Sequence, residues 1–189
     1  MVTERSNFMK EVKNYEWSSL LDLTGKGLNQ FNAVDQNLNC SQLMNNANLD
    51  WNVEMKPVLF AKGDDIVKSD KFYSLVKDNK EVLVSGLTDS YHPMQNDQIA
   101  RIGDYVSRNT GIKFEHAFSY DRDKYVTFLA KTNGQFNIGN DVVKSYIMFN
   151  NFHTGRDKSS ILTTNISVWC SNTFMNALKD NSQFKIGIS

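Results

Sequence analysis

The chain has 189 residues, with 21 Lys and Arg against 21 Asp and Glu, so its formal net charge is zero. Its 40% hydrophobic and 22% charged residues suit a folded chain with a core and exclude global disorder or a strongly polybasic protein. No apolar run approaches the roughly 18 residues of a membrane-spanning helix, and the first residues, with Glu4, Arg5, Lys10, Glu11 and Lys13, lack a signal peptide's apolar stretch.

Cytoplasm is therefore the expected compartment. Cys40 and Cys170 are too few for a disulfide framework and read as reduced, with Cys170 a buried apolar residue. Charge is unevenly spread. Residues 1–100 carry 10 Lys and Arg against 14 Asp and Glu, and residues 101–189 carry 11 against 7. A polyanion would more naturally meet the second half.

Residues 1–14 read as a flexible arm and 15–189 as a single α+β domain, either compact or truncated from a longer protein. Trp17, Leu20, Leu21 and Leu23 mark a first helical piece before the Gly25-Lys26-Gly27 break. Ser41 is positioned to cap a short helix carrying Leu43, Met44 and Ala47. Trp51, Val53 and Met55 then alternate with polar residues, the period of a half-buried strand with Trp51 in the core. Residues 72–76 and 82–84 flank Lys77-Asp78-Asn79-Lys80 and predict a hairpin.

The loop holding Tyr91, His92 and Pro93 leads into the clearest helix. Asn96 or Asp97 is its expected cap, Ile99, Ile102, Tyr105 and Val106 form its apolar face, and Asn109 and Gly111 end it. Strands are expected over 114–120, 125–130, 145–149 and 161–169, with a turn at 121–124 and a last helix near 172–179. Short gaps favour antiparallel pairing. The predicted fold is α+β: an antiparallel sheet with hairpins, one central amphipathic helix and short flanking helices.

No complete catalytic motif is present. His92, His116 and His153 form no H-x-x-x-H pair, no phosphate-binding glycine loop follows a strand, and no G-x-S-x-G elbow occurs. Neither catalytic nor metal-ligating residues nor a cofactor are assigned. The richest candidate site is the loop 150–160, which gathers Asn150, Asn151, Phe152, His153, Thr154, Gly155, Arg156, Asp157, Lys158, Ser159 and Ser160. Such donors contact phosphates, and Phe152 or His153 can stack on an unpaired base. The plainer reading is a polar hairpin loop with Gly155 at positive φ.

A second candidate interleaves Lys113, Phe114, His116, Phe118, Tyr120, Arg122, Lys124 and Tyr125. On a regular strand the four rings share one face, which is either a stacking platform or, more often, core.

Four motifs recur in order: Leu49-Asp50-Trp51-Asn52-Val53-Glu54; Tyr91-His92-Pro93-Met94-Gln95-Asn96; Tyr146-Ile147-Met148-Phe149-Asn150-Asn151-Phe152-His153-Thr154-Gly155; and Trp169-Cys170-Ser171-Asn172-Thr173. Together they resemble the phage/plasmid-like family, whose function is unassigned, and the likeness runs from about residue 15 onward. The resemblance implies a phage or plasmid origin and a bacterial host cytoplasm, and supplies no catalytic residues. The arrangement is also loosely similar to phage single-strand annealing recombinases, and fold alone does not fix function.

The expected activity is binding of single-stranded DNA (or RNA), with annealing or recombination by a homo-oligomer, through Lys113, Arg122, Lys124, Phe152, His153, Arg156, Lys158, Ser159 and Ser160. The rival expectation is a non-enzymatic module that docks on a host protein. A third is an enzyme built around His153, Asp157 and Ser159.

Overall fold

The computed structural model describes residues 30–33, 38–138, 141–167 and 185–188. The arm at 1–14, the helices expected near Trp17 and over 172–179, and Cys170 lie outside these residues. Among the described residues the fold is α+β, with antiparallel strands in two sheets and two helices. The first sheet orders β1 (Gln30–Ala33), β5 (Lys113–Tyr120), β6 (Tyr125–Ile138), β7 (Asp141–Phe152), β8 (Ser159–Ser167) and β9 (Lys185–Ile188). The second orders β2 (Val53–Lys62), β3 (Asp65–Lys77) and β4 (Glu81–Leu87). No helix among the described residues is long and apolar enough to cross a membrane.

Helix α1 (Cys40–Asn46) is capped by Asn39, not Ser41. The Asn39 side chain accepts from Gln42 N–H at 2.8 Å, and Gln42 Oε1 accepts from Asn39 N–H at 3.0 Å, a reciprocal cap. Ser41 instead donates to Asp104 at 2.5 Å, tying α1 to α2 (Asn96–Thr110). Gln95, one residue before the expected cap, precedes α2, and its amide clamps β2. Val53 N–H donates to Gln95 Oε1 and Gln95 Nε2 donates to Val53 O, both at 2.9 Å.

Gly111, at φ 74°, ends α2 as expected. Helix α2 buries Ile99, Ala100 and Gly103, and partly buries Ile102 and Val106. Tyr105, expected on that face, points to solvent. The stripe is centred on Gly103, where the Phe114 ring and the Cys40 thiol pack so closely that a Cβ would lie 2.8 Å from Phe114 Cζ.

The aromatic row on β5 is broken by a bulge. Phe114 pairs with Ala130, but His116 pairs with Leu129, so Glu115 is an extra residue. Cross-strand neighbours share a face, so Phe114 and Ala117 join Phe128, Ala130 and Phe149 on the face that meets the helices and the second sheet. Phe118 and Tyr120 turn to the opposite face with Tyr125 and Phe152. Phe114 and Phe118 are both buried, in different layers. Trp51 is in the core as expected.

Candidate nucleic-acid interface

Strand β6 pairs with both β5 and β7, so the β5–β6 turn and the loop after β7 meet at one end of the six-stranded sheet. His153 N–H donates to Lys124 O at 2.7 Å, locking loop to turn. In the turn, Asp121, Arg122 and Asp123 all have positive φ, at 49°, 52° and 61°. Three successive left-handed residues without glycine store strain, about 1–2 kcal/mol each. Side-chain bonds offset it: Asp123 is buried, accepts from the Ser119 hydroxyl and forms an ion pair with Lys77 of β3. The same Lys77 ammonium stands 4.8 Å from the centroid of a Trp51 ring.

Beneath the loop lies a buried polar network. Asn96, Asn151, His153 and Ser159 are all buried. Asn96 Nδ2 donates to Leu49 O at 2.9 Å, and Asn96 Oδ1 accepts from Asn151 Nδ2 at 2.9 Å. His153 Nε2 lies 3.0 Å from the same Oδ1, which assigns the ring hydrogen to Nε2. Asn151 Nδ2 also donates to Met94 O at 3.0 Å, and Ser159 Oγ donates to Asn151 Oδ1 at 2.7 Å. His153 Nδ1 has no hydrogen-bond partner among the described residues, and the ring tilts against Trp51 with centroids 5.1 Å apart. Burial pushes the His153 pKa down to about 4, against a weaker upward pull from Asp123.

Gly155 has φ 73°, and a Cβ there would lie 2.2 Å from Leu87 Cδ2. Gly155→Ala is therefore expected to cost about 2 kcal/mol through backbone strain and the clash with a core leucine. Urea unfolding checks this, and a loss below about 0.5 kcal/mol would show that the loop is not wedged against Leu87.

The candidate residues separate into three groups. Arg122, Arg156 and Lys158 are exposed at the shared end, with Lys124 and Phe152 partly buried beside them. Arg122, Arg156 and Lys158 have no ion-pair partner among the described residues, whereas Lys124 Nζ lies 3.9 Å from Asp121. His153, Ser159 and Ser160 point inward: the His153 ring has no free face for a base, and its neighbours hold the loop from below. Lys113 stands at the other end of β5, opposite Lys131, about 23 Å from Tyr120 at a strand's rise per residue.

Tyr120, Tyr125 and Phe152 lie at the same sheet end, paired in register across β5, β6 and β7. Tyr120 and Tyr125 stack at 4.7 Å with an interplanar angle of 6°, and Phe152 meets Tyr125 edge-on at 5.4 Å. Burial is the main cause that raises both tyrosine pKa values, followed for Tyr120 by Tyr125 and for both by Asp157 and Asp121, so both hydroxyls stay neutral at physiological pH. Tyr125, the last residue of the second candidate segment, lies opposite Tyr120 across the four-residue turn. The hydroxyl of Ser159 serves Asn151 and Asp157 accepts from Thr154 at 2.9 Å, so neither is paired with His153 as a nucleophile and base would be. Among the described residues no three His, Cys, Asp or Glu side chains cluster as a metal site would require.

The molecule is thus an antiparallel α+β protein with a strained, cation-bearing sheet end on a buried polar base. Residues 84–187, more than half of the chain, match the family described as Domain of unknown function (DUF932), and the chain belongs to that family. The matched segment contains α2, the strained turn and the whole β7–β8 connection. No curated protein and no solved structure matches the chain.

Proposed function

We propose that the chain binds single-stranded nucleic acid at the end of the six-stranded sheet, with annealing or recombination of phage or plasmid DNA as its setting. The observation that carries this reading is that one sheet end carries three exposed cations, Arg122, Arg156 and Lys158, without an ion-pair partner among the described residues, together with the rings of Tyr120, Tyr125 and Phe152. Unpaired guanidinium and ammonium groups attract phosphates and release counterions. A ring edge or face beside them can take an unpaired base, worth about 1–3 kcal/mol per stacked base. In this reading His153, Ser159 and Ser160 position the loop, and Lys113 meets a more distant part of the same strand. Asp121 and Asp157 lower the local charge, so affinity is expected to be modest and dependent on several copies along one strand.

Fluorescence anisotropy of a labelled single-stranded oligonucleotide at two salt concentrations tests it. The triple variant Arg122→Glu/Arg156→Glu/Lys158→Glu is expected to lose more than about tenfold in affinity and about 2 units of salt slope, as removal of three single-strand phosphate contacts predicts. Absence of wild-type binding at low salt, or a triple variant that binds like wild type, rejects the reading.

A further inference from the structure

Strands β2 and β3 extend past the rest of their sheet. Strand β4 ends at Leu87, opposite Tyr73, so the distal part of the β2–β3 hairpin is a two-stranded ribbon. Pairing shifts between Pro57 and Leu59, where Ser69 Oγ accepts from Lys71 and Phe72 N–H and throws Phe72 outward. It then runs from Leu59↔Lys68 to Lys62↔Asp65. A lone two-stranded ribbon is marginal in water, and this one leaves apolar side chains in solvent. Ile66 is 77% exposed, Leu59 62%, Phe72 52% and Phe60 49%. Surfaces of this kind mark interaction sites.

Three further features narrow the partner. No strand among the described residues pairs with the outer edge of β2, so residues 58–62 present unpaired backbone donors and acceptors. Ribbon charge is balanced, with Lys62, Lys68 and Lys71 against Asp64, Asp65 and Asp70. A balanced surface draws neither a polyanion nor an anionic membrane, and it complements itself under a two-fold rotation. By register Leu59, Ala61 and Ile66 lie on one face of the ribbon.

We propose that the outer edge of β2 pairs antiparallel with the same edge of a second copy of this chain, about a two-fold axis at Phe60. Such pairing sets Phe60 against its counterpart and Leu59 against Ala61 of the other copy. It turns two marginal ribbons into a four-stranded sheet, one face of which carries a central apolar patch of Leu59, Ala61 and Ile66 from both copies with Lys68 at its corners. The Asp64 turn of each copy approaches Lys56 of the other. Pro57 has no N–H and ends the pairing, which keeps it to residues 58–62. The interface closes on itself and makes a dimer, not a filament. This inference stands on the ribbon alone and does not depend on nucleic-acid binding.

Sedimentation of the wild-type chain over a concentration series, together with cysteine cross-linking, tests it. The wild type is expected to dimerise reversibly, and the Phe60→Cys variant to form a disulfide dimer under mild oxidation, because opposed strand residues have suitable Cα spacing. Ser90→Cys, exposed in the loop after β4, is the control and should not cross-link. Leu59→Lys/Ile66→Lys changes only solvent-exposed side chains, and should weaken self-association about tenfold or more while the far-UV spectrum stays native. A wild type that remains monomeric at about 100 μM overturns the proposal and leaves the ribbon to a different protein. A dimer that fails to cross-link through Phe60→Cys, or survives Leu59→Lys/Ile66→Lys, overturns it as well.

Discussion

Asn96→Ala is expected to lower the stability of the fold by about 3–4 kcal/mol, a large share of the 5–15 kcal/mol typical of a domain. The Asn96 carboxamide serves three buried groups at once: Leu49 O, Asn151 Nδ2 and His153 Nε2. Truncation strands each of them without access to water. A buried polar group left unsatisfied costs about 1–3 kcal/mol, and Asn151 keeps its bond to Met94 O, which lowers the total. The damage should also reach the surface, because Asn151 in turn holds Ser159 and His153 pins the loop to Lys124 O. Urea denaturation with an unchanged m-value reads the loss. A cost under about 1 kcal/mol would mean that the four side chains do not act as one network.

The second large effect is acid destabilisation through His153. Its folded pKa is lowered from the ordinary 6.5 to about 4, so the unfolded chain takes up the proton first as pH falls. The contribution of the neutral ring is complete above pH 6.5 and is lost between pH 6.5 and 4, to a limit of about 3 kcal/mol. Burial is the main cause. In addition, a proton placed on Nδ1 meets no hydrogen-bond acceptor. The Asp123 carboxylate pulls the other way, but its charge is already shared with Lys77 and Ser119. Measuring stability at pH 7, 5.5 and 4.5 in wild type and His153→Gln should give a steeper acid slope for the wild type alone. Parallel slopes would assign the acid lability to other groups.

How much of this was legible in the sequence follows from what each residue reveals locally. Helix α2 was readable because Gly111 needs a left-handed conformation and the apolar spacing is regular. Tyr105 was misassigned because a side chain's reach says nothing about where Gly103 lets a neighbouring ring approach. The bulge at Glu115 was invisible, since one added residue changes no propensity yet reverses the face of all that follows. The β2–β3 ribbon was missed beyond Met55 because it is wet on both faces and carries no two-residue burial period.

The segment 150–160, read in the sequence as one loop, is the end of β7 through Phe152, a short loop, and the start of β8 from Ser159; its Asn151, His153 and Ser159 look like surface residues in a sequence. They are interior because they satisfy one another, and sequence polarity reports hydrogen-bonding capacity, not exposure. The cations read as they stand, since charge without a partner stays in solvent.

The Gln95 amide has a mechanical meaning. It grips Val53 with two hydrogen bonds, in the manner of a strand residue, while the next residue in the chain is Asn96. Strand β2 is thereby tied by side-chain hydrogen bonds to the residue before α2, and the next residue, Asn96, is tied in turn to Asn151 and His153. Residues 95 and 96 are thus a joint at which the small sheet, the helix and the base of the six-stranded sheet are fastened together.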